Sequence, residues 1–258
     1  MPKKPLILVT NDDGITAPGI RTLIRLMNEI GDVVVVAPDS PQSGMGHAIT
    51  VNTTLYVKPE RIDDGPQKEY STSGTPADCV KLAKHEVLDR VPDLCVSGIN
   101  HGSNSSINVI YSGTMSAAIE AGIEGIPAIG FSVCDYNWEA DFKPSEPYIT
   151  TIVKQVLENG LDPGIVLNVN VPRLPAEEIK GIKVCRQARA NWVEEFDKRR
   201  NPQGKEYYWL TGKFVTFDEG QDTDEWAITN GYVSVVPIKY DMTAHQYIDQ
   251  LNSWNLND

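Results

Sequence analysis

The chain has 258 residues, enough for one large α/β domain with an additional segment. Its 35 acidic residues outnumber its 23 lysines and arginines, and a net charge of −12 argues against a nucleic-acid polymer as partner, because phosphate backbones would be repelled. No apolar run approaches the roughly 20 residues of a membrane span, and the first apolar run begins at Leu6, too early for a signal peptide. We therefore expect a cytoplasmic protein without a membrane partner.

The first half of the chain alternates apolar runs with amphipathic segments. Four runs are typical of buried parallel strands: Leu6–Val9, Val33–Val36, Asp93–Ser97 and Pro127–Ser132. Apolar residues at helical spacing predict helices near Ile20, after a capping sequence at Thr75, and near Met115. Strands alternating with helices imply right-handed βαβ units. We predict a Rossmann-like three-layer α/β/α sandwich with a mostly parallel sheet.

The polar, irregular segment 134–147 suggests a boundary between a catalytic core, residues 1–133, and a C-terminal elaboration, residues 134–258. Beyond it the pattern predicts a helix, two strands and a terminal helix that starts at a capping box: Ile149–Val156, Leu167–Val171, Tyr232–Ile238 and Thr243–Gln246. Residues 185–215 predict a hairpin arm rich in aromatic side chains. Because a two-stranded ribbon alone is marginal in water, we expect this arm and the terminal helix to serve oligomerisation.

A pair of acidic residues follows the first predicted strand, in the sequence Asn11-Asp12-Asp13-Gly14. Ligands of open α/β sheets bind beyond the carboxyl ends of the strands. Adjacent carboxylates repel each other unless a cation joins them, and oxygen ligands suit Mg²⁺, Mn²⁺ or Ca²⁺. The same residues would also form an ordinary surface turn and helix cap.

Two later turns offer neutral oxygen atoms. Ser43 lies in the loop after the second strand, and Asn100 and Asn104 follow the third. An asparagine carbonyl would complement two carboxylates on a metal without adding negative charge. A flexible polar loop and a turn held by asparagine hydrogen bonds explain the same residues. His47 and His101 are candidates for a general acid or simply surface residues.

The sequence Tyr111-Ser112-Gly113-Thr114 precedes the predicted helix near Met115. Free N–H groups at a helix N-terminus, two hydroxyls and a glycine are typical of an anion site, although simple capping by Ser112 or Thr114 is compatible with the same residues. Together with the acidic pair and the neutral ligands, this site favours metal-assisted phosphoryl transfer to water.

At these residues the sequence resembles the SurE family of survival-protein nucleotidases. The matching segments are Val9–Gly14, Val36–Asp39, Ser43-Gly44, Gly74–Val80, Ser97–Asn100, Gly102, Asn104, Tyr111–Thr114, Arg186-Gln187, Arg189, Trp192, Tyr207–Trp209 and Gly231–Ser234. The resemblance covers nearly the whole chain, and the combination is specific. The sequence departs from it at Ser103, where many members have proline, and the loop 42–47 around the matching Ser43-Gly44 varies widely in the family.

The resemblance implies a metal-dependent enzyme that hydrolyses nucleoside 5′- and 3′-monophosphates, with exopolyphosphatase activity in some members. One divalent ion per subunit, Mg²⁺ or Mn²⁺, would be bound by Asp12, Asp13, Ser43 and Asn100. The phosphate would contact Asn11, Asn104, Ser112, Gly113 and Thr114. Asp12, Asp13 and Asn11 would be the catalytic residues. Family members form homodimers or homotetramers in which the C-terminal part is exchanged or extended between subunits.

Two reaction routes stay open: attack by water, or a covalent phosphate on Asp12. Haloacid-dehalogenase-type phosphatases that use the covalent route place their acids two residues apart, whereas here they are adjacent. Two other protein classes fit less well. A receiver-like regulator would need a lysine at a later strand end, and a dinucleotide-binding enzyme would need a glycine-rich turn after the first strand.

Overall fold

The computed structural model describes residues 4–256. The strands in this range are β1 Leu6–Thr10, β2 Asp32–Pro38, β3 Val57–Glu60, β4 Lys68–Thr72, β5 Leu94–His101, β6 Ala128–Val133, β7 Ile165–Val171, β8 Ile182–Val184, β9 Ala190–Arg200, β10 Glu206–Thr216 and β11 Val233–Lys239. The α-helices are α1 Pro18–Asn28, α2 Pro76–Leu82, α3 Asn108–Tyr111, α4 Gly113–Ile123, α5 Glu146–Asn159, α6 Asp224–Thr229 and α7 Ile248–Asn252. None of the helices in residues 4–256 has the length and apolar character to cross a membrane.

Nine of the strands form one sheet in the order β3-β4-β2-β1-β5-β6-β7-β11-β8. The central pairs from β4 to β7 are parallel, while β3 and β11 run antiparallel to β4 and β7. Helices α1 and α5 pack on one face and α2 and α4 on the other. The prediction of a Rossmann-like three-layer sandwich is confirmed.

The alternation of side chains along β1 explains why both faces need helices. Ile7 and Val9 pack into the core beneath α1 and α5, whereas Leu6 and Leu8 pack into the core beneath α2 and α4. All five residues of the strand are buried, as a central parallel strand requires. Its carboxyl end therefore lies between two helical layers, and Asn11 and Asp12 follow it directly.

The cap predicted at Thr75 is present. The Thr75 hydroxyl accepts a hydrogen bond from the Asp78 backbone N–H, and the Asp78 carboxylate accepts one from the Thr75 backbone N–H. This reciprocal capping box starts α2 and leaves Pro76 at a position where no N–H is needed. A π-helical turn, Ala83–Val87, extends the helix.

Two details of the C-terminal prediction are wrong. The hairpin begins at Ala190 rather than Cys185, because the Cys185 backbone N–H donates to Val235 and so keeps this segment beside β11. Thr243 does not cap the terminal helix: its backbone N–H donates to the Asp241 carboxylate, and α7 begins only at Ile248 after a short 3₁₀ turn. The division at residue 134 stays a prediction, and β7, β8 and β11 continue the sheet beyond it.

Candidate active site

The carboxyl ends of β1, β2 and β5 meet the start of α4 around a cavity of about 220 Å³. Six of the predicted site residues line it: Asp12, Asp13, Ser43, Asn100, Asn104 and Ser112. They come from four separate segments of the chain. Parallel strands that end at one edge of the sheet bring these segments together.

The two aspartates occupy different environments. Asp12 is only 4% exposed, and burial together with the charge of Asp13 raises its pKa to about 6. A hydrogen bond of 2.5 Å from the Thr114 hydroxyl to Asp12 Oδ1 opposes this rise. Asp13 is half-buried; its burial raises its pKa, and nearby His101 opposes the rise. Two carboxylates in this position disfavour their own ionisation, so a cation between them would be stabilising.

The chemistry of the cavity lining fits a hard divalent cation. Within residues 4–256, the side chains that line it include neither lysine nor arginine. Nor does this range contain a cluster of three or more histidine, cysteine, aspartate or glutamate side chains that could hold a metal. An ion here would therefore bind two carboxylates and neutral oxygens, a donor set that suits Mg²⁺, Mn²⁺ or Ca²⁺ and not thiolate-seeking metals.

Asn100 and Ser43 are the neutral candidates for metal ligands. The Asn100 side-chain amide donates to the backbone carbonyls of His101 and Gly102 at 3.1 and 2.9 Å. Both bonds use Nδ2 and leave Oδ1 available as a ligand. Ser43 lies in an exposed loop that is tied to the site, because the Gln42 backbone N–H donates to the Asp12 carbonyl at 2.7 Å.

The loop that carries Ser43 is fastened at its far end to two helices. His47 Nε2 lies 2.6 Å from the Glu120 carboxylate of α4. The Thr50 hydroxyl donates to Asp78 of α2 at 2.6 Å. The loop is thus held by polar side chains at the helices that flank it, and its position near the cavity depends on them.

The start of α4 combines a helix cap with contacts to Asp12. The Ser112 hydroxyl accepts a hydrogen bond from the Met115 backbone N–H at 3.0 Å, so Ser112 is the N-cap, and it also lines the cavity. Gly113 and Thr114 are not among the residues that line the cavity. They contact Asp12 instead: the Thr114 hydroxyl donates to it, and a Cβ on Gly113 would be 2.6 Å from Asp12 Cβ. The helix therefore presents its N-terminus to the site while its first turn packs against the carboxylate.

Asn104 and Asn11 are both buried beside the cavity. The Asn104 side chain donates to Ser132 at 2.8 Å, and its backbone N–H donates to the side chain of Asn170, also at 2.8 Å. Asn168 of β7 donates to the Asn104 carbonyl. Asn11 donates to the Gly14 carbonyl at 2.9 Å, while its Oδ1 is buried without a partner among the described residues.

Sequence reasoning missed the roles of Asn168 and Asn170. The signal was present, because two asparagines alternate with apolar residues in a strand whose centre is buried. Such side chains need hydrogen-bond partners, and here they find them in the Asn104 segment. It also missed Tyr136, which lines the cavity from the loop after β6, a segment that looked merely irregular.

The fold and this site define a Rossmann-like α/β enzyme with an acidic, oxygen-lined site at the carboxyl edge of its sheet. The family model described as survival protein SurE matches residues 7–194. The chain belongs to the SurE family, which confirms the resemblance seen in the sequence, and it is a hydrolase.

Relatives of this family are similar over the whole chain. The 5′-nucleotidase SurE of Christiangramia forsetii is 72% identical over 257 residues, which cover 99% of each chain. The 5′-nucleotidase SurE of Bacteroides fragilis is 48% identical, with 98% of this chain and 99% of that one covered. The crystal structure of the SurE protein from Aquifex aeolicus has a TM-score of 0.83 and 40% identity, and the match covers 96% of this chain and 98% of that one.

Proposed function

We propose that the chain is a metal-dependent phosphomonoesterase that hydrolyses nucleoside 5′-monophosphates, and also 3′-monophosphates, to nucleoside and phosphate. The observation that carries this proposal is the pair of buried Asp12 and half-buried Asp13, which repel each other in a cavity whose described lining offers neither lysine nor arginine. A dianionic phosphate could enter such a site only with a cation. The names of the relatives support the nucleotide as substrate.

Each side chain has a defined role in this proposal. Asp12, Asp13, Ser43 and Asn100 would bind one Mg²⁺ or Mn²⁺ per subunit. Such an ion offsets charge on the phosphate oxygens and lowers the pKa of water. Ser112 and backbone N–H groups at the α4 N-terminus would bind the phosphate, and Asn11 and Asn104 would contact it from the ends of β1 and β5, respectively. Thr114 orients Asp12 through its hydroxyl.

We favour in-line attack by water on phosphorus over a covalent phosphate on Asp12. Oδ1 of Asp12 already accepts the Thr114 hydroxyl, and the side chain packs against Gly113, so its approach to phosphorus is restricted. In the direct route the bond from phosphorus to the ribose oxygen breaks as the bond to water forms. Acid quenching during turnover of labelled nucleotide distinguishes the routes, and we expect no label on the protein.

Release of inorganic phosphate from a panel of nucleoside monophosphates tests the function. We expect release with Mg²⁺ or Mn²⁺, none with EDTA, and a loss of at least about 1000-fold in Asp12→Ala, since removal of a metal ligand removes its charge stabilisation. Asp32→Ala is the matched control, because Asp32 is an exposed aspartate at the amino end of β2, whereas the site lies at the carboxyl ends of the strands. No release from any nucleotide under either metal would exclude the proposal.

The proposal has three further parts: exopolyphosphatase activity, the oligomeric state and the location. Phosphate release from polyphosphate chains would test exopolyphosphatase activity. A homodimer or homotetramer built through the β9–β10 hairpin and α7 would agree with the exposure of their apolar side chains. The cytoplasmic location predicted from the sequence is part of the same proposal.

A further inference from the structure

Three aromatic side chains line the cavity that holds Asp12 and Asp13. They are Tyr111, Tyr136 and Trp192, and they are 54%, 72% and 37% exposed. Because these rings are exposed, their apolar faces are in contact with water, which is unfavourable. A ligand with a flat ring of its own would cover such a face by stacking on it. The metal and phosphate chemistry of the proposed function uses none of them.

Tyr136 is the most exposed of the three, and the backbone beneath it is shaped to fit its ring. Gly102 has a φ of +94°, and a Cβ on this glycine would lie 2.3 Å from Tyr136 Cε1. The ring thus rests directly on the backbone that follows Asn100. No other ring in residues 4–256 stacks on Tyr136, whereas its neighbour His101 already stacks on Trp138 at 5.2 Å.

Trp192 is fixed in place by two contacts. Its Nε1 donates to Asn108 of α3 at 2.8 Å, and its ring meets Phe214 edge-on at 5.4 Å. Tyr111 directly precedes Ser112, the cap that faces the proposed phosphate position. Of the three, only Tyr136, in the loop after β6, and Trp192, in β9, come from segments other than the α4 N-terminus, so they are the candidates to contact the rest of a bound nucleotide.

We propose that Tyr136 is a specificity-determining residue whose exposed ring stacks on the nucleobase of the substrate while the phosphate lies at the α4 N-terminus. This inference rests on the proposed function. Stacking reads the flat face that every base has and not its hydrogen-bonding edge. The enzyme then accepts purine and pyrimidine nucleotides alike and discriminates against phosphate monoesters that have no base.

A comparison of two substrates tests the role of Tyr136. We measure kcat/KM for AMP and for ribose 5-phosphate in wild type, Tyr136→Ala and Tyr136→Phe. Tyr136→Ala should lower kcat/KM for AMP about tenfold, mainly through KM, because a base that stacks on an aromatic ring contributes binding of this order. Ribose 5-phosphate should be unaffected, and Tyr136→Phe should behave as wild type. Tyr247→Ala, at a tyrosine 53% exposed near α7, is the matched control.

Product inhibition gives a second readout. Adenosine should inhibit Tyr136→Ala about tenfold more weakly than wild type, and inorganic phosphate should inhibit both equally. Two results would overturn the stacking role: an equal loss of kcat/KM for AMP and ribose 5-phosphate in Tyr136→Ala, or equal kcat/KM of the wild type for the two esters. Neither result would contradict the proposed phosphomonoesterase activity. Absence of phosphate release from every ester would overturn the proposed function and this inference with it.

Discussion

The Thr114 hydroxyl donates a 2.5 Å hydrogen bond to Oδ1 of Asp12, and both side chains are buried. This bond joins the first turn of α4 to the residue that follows β1. It opposes the rise in the Asp12 pKa that burial and Asp13 cause. A helix proposed to bind phosphate thus also holds a carboxylate proposed to bind metal, so the two halves of the site are positioned together.

Replacing Thr114 by valine keeps its shape and removes the donor. We expect kcat/KM for AMP to fall by about 10- to 100-fold, the usual cost of removing a group that orients a metal ligand. Metal affinity, measured by titration with Mn²⁺, should weaken in parallel. Thr114→Ser retains the hydroxyl and should stay within about threefold of wild type. Equal activities for the valine and serine variants would show that this hydrogen bond does not matter.

The packing of Gly113 against Asp12 makes a second prediction. A Cβ at this position would lie 2.6 Å from Asp12 Cβ and 2.8 Å from its Oδ2, so Gly113→Ala must displace the carboxylate. Alanine also restricts the unfolded chain more than glycine does, which favours folding by up to about 1 kcal/mol. We therefore expect a large loss of activity with a much smaller change in melting temperature. A variant that is fully active would mean that Asp12 tolerates displacement.

Asp12→Asn should stabilise the metal-free protein while it abolishes activity. Because the folded-state pKa is raised from 3.8 to about 6, the protonated carboxyl is favoured by folding, and this stability is lost as the pH rises from about 4 through 6. Asparagine does not titrate, so near pH 7 the variant should gain on the order of 1–3 kcal/mol. This corresponds to an increase of several degrees in melting temperature.

The controls for Asp12→Asn are pH and metal. The difference from wild type should shrink as the pH falls towards 4 and disappear well below 3.8, where Asp12 is protonated in both the folded and the unfolded state. Added Mn²⁺ should raise the melting temperature of the wild type and not that of the variant, since binding to the folded state alone stabilises it. If Asp12→Asn were less stable than the metal-free wild type at pH 7, the ionised Asp12 carboxylate would not destabilise the folded protein, and the prediction would be wrong.

The sequence pattern was sufficient for the central strands and their helices, because continuous apolar runs and helical periodicity follow directly from burial. It was insufficient for β4. Glu69 in this strand is only 4% exposed, and its carboxylate lies 2.6 Å from the Arg21 guanidinium. In the sequence a charged residue of this kind indicates an exposed position, so the buried strand was not recognised. β3 contains Pro59 and lies at the sheet edge, where periodicity is weak.

The candidate site, like the fold, was predictable from the sequence only in part. Strand ends at one edge of a parallel sheet must be neighbours, so the proximity of Asp12, Ser43 and Asn100 followed from the strand assignments alone. The contact between Thr114 and Asp12 did not follow, because it depends on how closely α4 approaches β1. Likewise, nothing in the pattern reveals that Tyr136 rests on Gly102, a contact across residues distant in sequence.

Asp78 gives a prediction about stability and pH. Its carboxylate accepts hydrogen bonds from Thr50 and from the Thr75 backbone, which outweigh its burial and lower its pKa. The stabilisation is therefore present above the ordinary value of 3.8 and is lost as the pH falls through the lower folded-state pKa. Asp78→Ala should cost about 1–3 kcal/mol at pH 7 by denaturant unfolding and progressively less below pH 4. A constant difference at all pH values would exclude the role of the charge.

The β9–β10 hairpin predicts the oligomeric state. These strands pair only with each other within the described residues, and the register places Phe196 opposite Leu210 and Lys198 opposite Tyr208 on one face. Phe196, Tyr208 and Leu210 are 68%, 54% and 65% exposed. A ribbon of two strands with such a face is marginal in water unless another surface covers it.

We expect wild type to sediment as a homodimer or homotetramer and the double variant Phe196→Glu, Leu210→Lys to sediment as a monomer. Each buried aromatic or aliphatic anchor in an interface contributes about 2 kcal/mol, and a symmetric assembly loses it in every copy, so the dissociation constant of the double variant should rise by at least about 100-fold. Thr211→Lys is the control, because Thr211 pairs with Glu195 on the other face. If the wild type is a monomer at micromolar concentration, or the double variant keeps the wild-type mass, the hairpin is not the interface.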